Sequence, residues 1–566
     1  MASSDIHFEV FTRRTQSEPW RLEAALENRD KAVALGEALF DEGAASIRVS
    51  MEMRDPETGE YESRVVLTKG AQLQQKHRPV RNPVAEPPCA TPQDLYTAVA
   101  REKIGRVLED WLRRHRATPF ELLHRPDLAK SLDDSGLELR HAVQKIAVPE
   151  SQLTGASVHE VMRTYHRLAD GVLERLTQAG RKRLFPDLDR ESLAAATERL
   201  AEAAERSFLL GGAVARRLAD APDWNAKTER LIDLAEGLSD GSPTSVLCRA
   251  LVEQPLWEIL GSQPGLSDLL GSALDPGGAL LALTRLVFPE ESEAVMAADP
   301  AVAALIPELS GPAARLAGLM SGGGFKSLRS ALGRKILAEL ASARRLRPDD
   351  PDAEIVVLRA LAMVLTASAG RLLFAGDVQA AFLTRSRALT ANDFVTALSQ
   401  GRPTVLAEAQ ALTRLAENVT GPMNRKSAAN WLSACVGSLR FETELRDGGA
   451  DTALTRLSAL AALDRATRRT GLGEGDQRRI SDRLGELAGK IEADARLCAL
   501  LVRSPAPLPH RVNALLRLAA GETTPAGPAA DRARSELLRL LKAPEARAQL
   551  AASPEVASRV RELMAA

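Results

Sequence analysis

Aromatic side chains make up only 4% of this 566-residue chain, it has just four cysteines, and 74 Lys and Arg against 75 Asp and Glu leave a formal net charge of −1. Each shortage excludes something. Few aromatics leave little for successive bases to stack on, and without a field of one sign there is nothing to draw in a phosphate backbone, so nucleic acid is not an expected partner. Cys89, Cys248, Cys435 and Cys498 lie far apart with no paired spacing. Neither a zinc motif nor a disulfide framework follows, and a reducing cytoplasm is the expected compartment. The opening "MASSDIHFEVFTRR" puts Asp5 and Glu9 where a signal peptide needs its apolar core. The most apolar stretch, "ALAMVLTASAG" at 360–370 between Arg359 and Arg371, falls far short of the ~20 residues of a membrane span.

What is abundant is alanine and leucine. With 45% hydrophobic and 26% charged residues, the composition is that of a packed chain, and both residues are strong helix formers.

The first seventy residues follow a different rule from the rest. Apolar residues alternate with period two at Ile6, Phe8 and Val10, at Trp20, Leu22 and Ala24, and at Ile47, Val49, Met51 and Met53, which predicts strands. Between the second and third, Ala34, Leu35, Ala38 and Leu39 make a helical stripe that Gly43 is placed to end. "RDPETGEY" then turns the chain into a fourth strand, "YESRVVLTKG". The prediction is a small ββαββ domain over 1–70, a sheet with one helix on one face and Arg48, Ser50 and Glu52 solvated on the other. Residues 71–91 are proline-rich and aperiodic, the pattern of a linker.

From Thr91 onward the pattern is helical. "TPQD" at 91, "SPTS" at 242, "DPDAE" at 350, "TAND" at 390 and "SPEV" at 553 each set a capping side chain before an apolar-periodic run. "LTQAG", "MSGGG" and "RDGGA" offer glycine where helices stop. About twenty short helices follow from these signals. No fixed repeat period emerges, so the fold class is mainly α: the small α+β domain, then a large all-helical body built as an irregular helical-hairpin array or as bundles. Composition breaks divide that body into helical domains over 92–345 and 346–520 and a C-terminal helical tail over 521–566.

Chemistry has few places to sit. In "SVHEVMRTYHRLADGVLERL", 157–176, Ser157 and Glu160 have the spacing of a capping box. Val158, Val161, Met162, Tyr165, Leu168, Ala169, Val172 and Leu176 form a buried stripe, with His159 and His166 at its edge. The two imidazoles stand roughly 10 Å apart along the axis, too far to share one metal ion. "HEVMRT" resembles the H-E-L-R-T string of histidine kinases with one residue too many. The insertion turns the following side chains by about 100°, and no glycine-rich nucleotide segment follows. "GLMSGGGFKS", 318–327, lacks the G-K-[ST] ending of a phosphate loop because Phe325 intervenes, and reads as a hinge between helices.

Two basic clusters remain, "WLRRHR" with Arg113, Arg114 and Arg116, and "GRKR" with Arg181, Lys182 and Arg183. Cations at helix ends complement the helix dipole; the functional alternative is an anionic partner, such as RNA, a nucleotide messenger or an acidic protein surface, although aromatic interleaving is missing. No catalytic residue, metal site or cofactor is called for. The expected function is a cytoplasmic, non-enzymatic scaffold or regulatory adaptor that binds other proteins or a second copy of itself. The alternative is a signalling receptor that holds an anionic, nucleotide-like ligand between helices.

Overall fold

The computed structural model describes residues 6–13, 20–54, 61–70, 89–238, 241–321, 325–542 and 554–565. It is 73% helical and divides into two compact units, Met1–Pro88 and Cys89–Ala566.

The first unit has the predicted ββαββ order: β1 (Ile6–Arg13), β2 (Arg21–Leu26), α1 (Arg29–Asp41), β3 (Ser46–Arg54) and β4 (Tyr61–Gly70). The strands form one antiparallel sheet in the order β2-β1-β3-β4. Asn28 caps α1 by accepting from the amides of Asp30 and Lys31, and Gly43, at φ +108°, ends it.

Two readings of this unit are corrected. The buried face of α1 is Ala32, Leu35, Gly36 and Leu39, while Ala34 and Ala38 are exposed. Gly36 lies so close to the sheet that an added methyl would stand 3.1 Å from Val49. Gly36 has no side chain to add to an apolar pattern, so the stripe visible in the sequence lies one row from the packed face. The second correction is in β2. The pairing shifts at Val10/Phe11, so Ala24 lies opposite Val10 but Leu22 opposite Phe11. Consecutive residues of β1 face opposite sides, so this bulge sends Leu22 and Ala24 to different faces. Leu22 is left 49% exposed.

The helix-free face is also less solvated than its polar residues imply. Ser50 is buried, and the Arg48 guanidinium stands about 5 Å from the ring centres of both Phe11 and Trp20. Arg13 stacks on Trp20 at 3.9 Å. Aromatic rings on this face attract the two cations and fold them down.

In the second unit 28 α-helices are described, more than the twenty expected. Some adjacent helices share a single junction residue. Ser262 ends the helix Pro243–Gly261 and caps Gln263–Leu270 through the Gly265 amide. Asp299 does the same between Pro289–Ala298 and Pro300–Ala303. A proline at the first helical position disfavours helical geometry in the residue before it, as at Asp299 before Pro300, so the chain breaks there without a loop. Ser242 and Asp350 cap as predicted, and the capping box of Ser157 and Glu160 is formed.

Other signals mislead. At "TAND" the cap position is Ala391, with no capping side chain, because the Thr390 hydroxyl turns back to the Ser386 and Arg387 carbonyls. At "LTQAG" the helix runs through Gly180 to Arg181, and Arg183 takes the left-handed conformation at φ +51°. The linker residues 71–88, the glycines 322–324 of the expected hinge and Ser553 lie outside the described residues.

Two apolar clusters fill this unit. The smaller gathers residues from Leu95 to Leu209; the larger runs from Phe120 to Leu537, across the composition breaks at 345 and 520. In the second of those breaks Thr524 and Pro525 are buried, and Pro528–Leu541 packs on both Glu474–Ala495 and Leu508–Ala519.

A close approach holds the clusters together. Pro119–His124 crosses Arg206–Leu218, where Gly211 and Gly212 stand in mid-helix. A methyl on Gly211 would lie 2.3 Å from His124 Nε2, and one on Gly212 2.2 Å from the Phe185 ring. Gly211→Ala, although it improves intrinsic helix propensity by up to ~1 kcal/mol, is therefore predicted to lower the midpoint of urea unfolding. A neutral or stabilising result would mean that the rings yield.

Candidate functional site

The most tightly built cluster of charge lies on "TPFELLH", 118–124. Thr118 and Glu121 form a capping box around Pro119, the same signature as Ser157 and Glu160. All six residues of the helix Pro119–His124 are buried. Glu121 is completely enclosed and takes the Lys227 ammonium on both carboxylate oxygens at 2.7 Å. Lys227 also donates to the Arg116 carbonyl, and Arg125 reaches Glu121 at 3.3 Å. Beside this pair, Glu258 accepts from Arg101 at 2.7 Å and from the Phe120 amide at 2.7 Å.

Two carboxylates thus meet the free N–H groups at one helix start, as the positive end of a helix favours. Burial pushes the Lys227 ammonium below its usual range although Glu121 opposes, and pushes the Glu258 carboxyl up against Arg101. His124 donates from Nδ1 to the Phe120 carbonyl at 2.8 Å. Burial, helped by Arg101 and Arg175, lowers its pKa to about 3. Such a histidine is neutral and enclosed, a packing group.

Two openings carry more functional promise. The first is an apolar groove of about 100 Å³ among the helices Ala98–Val107, Pro126–Ser135, Leu137–Thr154 and Val158–Arg181. Its lining is aliphatic apart from Asp133 and Tyr165. The Tyr165 hydroxyl donates to Glu150 at 2.6 Å. On Leu137–Thr154 the residues Leu139, Ala142, Val143 and Ile146 line the groove. By helical spacing Leu153 continues their row, and it is 79% exposed.

The second opening, of about 110 Å³, lies between Gln263–Leu270, Pro276–Val287 and Lys326–Ala341. One wall is leucine; the rim holds Lys335, Glu339 and Arg344. Lys335 donates to the Leu260 and Gly261 carbonyls at 3.2 and 2.6 Å, and burial lowers its pKa.

The basic residues singled out in the sequence fall into two groups. Arg113 pairs with Asp110, Arg114 with Glu138, and Arg116 donates to the Pro222 carbonyl. Arg181, Lys182 and Arg183 are exposed at a helix end, and their side chains form no ion pair among the described residues. His159 is exposed and His166 half-buried. Among the described residues no three His, Cys, Asp or Glu side chains are grouped to hold a metal ion. None of the four cysteines forms a disulfide. Burial pushes the Cys435 and Cys498 thiols up to about 12, which keeps them protonated at neutral pH. No described helix is long and apolar enough to cross a membrane.

Comparison with protein-family models, with curated proteins and with solved structures finds no match to this chain.

Two predictions concern the buried cluster. Lys227→Met leaves Glu121 enclosed without its main counter-charge and is expected to cost about 3–5 kcal/mol in chemical denaturation. Adding Glu121→Gln should recover a large part of that; equal losses in the single and double variants would contradict the pairing. His124 in the unfolded chain takes up a proton near 6.5, in the folded chain only near 3. The unfolded state therefore binds more protons between those values, and stability falls as pH falls through that window. From pH 7 to 5 this group contributes a loss of about 2 kcal/mol. Unfolding free energies at both pH values should show a correspondingly smaller loss for His124→Asn.

Proposed function

We propose that this chain is a non-enzymatic cytoplasmic scaffold or regulatory adaptor, and that the apolar groove among the helices of 98–181 receives the apolar face of an amphipathic helix from a partner protein. One observation carries the reading. The groove's lining is almost wholly aliphatic, and beyond the turn that holds Pro149 and Glu150 the exposed Leu153 stands seven residues on from Ile146, on the same face of its helix. A partner helix laid in a groove presents its own apolar anchors at i, i+3, i+4 and i+7, and an aliphatic lining is what receives them.

Further support comes from the surroundings. Arg181, Lys182 and Arg183 are cations without internal counter-charges among the described residues, suited to an acidic partner. In the N-terminal unit the helix-free face gathers Phe11, Trp20, Arg13 and Arg48 beside the exposed Leu22 and Val65. Tryptophan and arginine are the residues most often dominant in protein interfaces, so this unit is a second, tethered contact. Apart from Asp133 and Tyr165 the side chains at the groove are aliphatic, which suits the binding of an apolar helix face.

The test is affinity capture from the native source with the full chain and with Leu153→Glu. An exposed leucine can be replaced at a cost within about 0.5 kcal/mol, so the variant should fold as the parent does. The partner recovered by the parent chain should be lost from the variant. An identical set of captured proteins for both, or none above background for the parent, contradicts the proposal.

A further inference from the structure

The opening beside Lys335 has features that no protein partner explains. Its wall is formed by Leu266, Leu270, Leu280 and Leu283, and its rim by Lys335, Glu339 and Arg344. Lys335 spends two of its three N–H donors on the Leu260 and Gly261 carbonyls, which leaves one for a ligand. Neither the Arg344 guanidinium nor the Glu339 carboxylate forms an ion pair among the described residues. Two cations and one anion therefore stand at the rim of a small leucine-walled recess, with Glu339 near enough to Lys335 to feel its charge but not paired with it.

The rim is held in place from beneath. Arg385, buried to 1% exposure, donates to the Leu340, Arg344 and Glu339 carbonyls at 2.7, 2.8 and 3.2 Å. A single guanidinium thus fixes the backbone from which both Glu339 and Arg344 project. Such a clamp sets charged groups in position before a ligand arrives, which lowers the ordering cost of binding.

We propose that this cleft binds a small aliphatic amino acid in its zwitterionic form. The carboxylate is met by Lys335 and Arg344, the ammonium by Glu339, and the branched side chain enters the leucine-walled recess. Size suits the choice: a recess of about 110 Å³ has room for a short branched aliphatic side chain while the charged groups of the ligand stay at the rim. Charge supports it too. A plain carboxylate would leave Glu339 facing another anion, and a plain amine would leave Lys335 and Arg344 unmatched.

The experiment is calorimetric titration of the full chain with L-leucine, glycine, 4-methylpentanoate and isoamylamine, alongside thermal unfolding with each at about 10 mM, where even millimolar affinity raises the midpoint by mass action. L-leucine should bind one to one and raise the midpoint, and the three analogues, each lacking one feature, should bind at least about tenfold more weakly. Arg344→Gln, at an exposed position, should weaken leucine by a similar factor; Glu339→Gln should erase its advantage over 4-methylpentanoate. No heat and no midpoint shift with L-leucine would overturn the proposal. So would equal binding of leucine and 4-methylpentanoate by the parent chain, or unchanged leucine affinity in both variants. Leu153→Glu, in the separate groove, should bind leucine as the parent does, so this site and the partner groove fail or stand independently.

Discussion

The enclosed ion pair between Glu121 and Lys227 is the constraint on which the helical unit depends. It sits on a six-residue helix that serves both apolar clusters: Phe120 belongs to the larger, Leu122 and Leu123 to the smaller. A helix so short has almost no stability of its own. It persists because Glu121 and Glu258 satisfy its first amides, and Lys227 and Arg101 in turn satisfy those carboxylates. The arrangement is costly to interrupt, since a charge left alone in the interior has neither water nor partner.

This constraint reaches the groove. Leu122 and Leu123, on the same helix, are among the residues that line it, together with Leu95 and Ile104 from one side and Val172 from the other. Fixing the short helix therefore fixes one wall of the groove, and the His124 ring packed on Gly211 fixes it against the larger cluster. A preformed groove binds a partner helix without first having to order its own walls. The Lys335 cleft repeats the principle on a smaller scale, with Arg385 as the buried cation that sets the rim.

Much of the fold is legible in the sequence because its signals are local. Period-two alternation finds three of the strands and the turn at "RDPETGEY" announces the fourth, and Ser157 with Glu160 marks the start of a 24-residue helix. What escapes is non-local or too weak to count. The β1–β2 bulge, which flips Leu22 to the open face, follows from pairing and not from either strand alone. Gly36 packs against the sheet with no side chain to announce it. Thr118 and Glu121 carry the same capping signature as Ser157 and Glu160, but their importance comes from Lys227, 106 residues away. Neither opening can be read from spacing, because the groove collects side chains from Leu95 to Leu173 and the cleft from Gln263 to Leu346. Of the basic residues proposed from sequence, Arg113, Arg114 and Arg116 are engaged within the chain, whereas Arg181, Lys182 and Arg183 are not. A run of like charges does not reveal which members have partners.

Native-state hydrogen exchange at the Phe120 and Leu122 amides tests the central claim most directly. If the short helix joins the two clusters, those amides exchange only when both clusters open, with the same free energy as amides in Val158–Arg181 and Pro243–Gly261. Exchange of Phe120 and Leu122 through a much cheaper local opening, with Val158–Arg181 and Pro243–Gly261 retaining separate and higher protection, would contradict it.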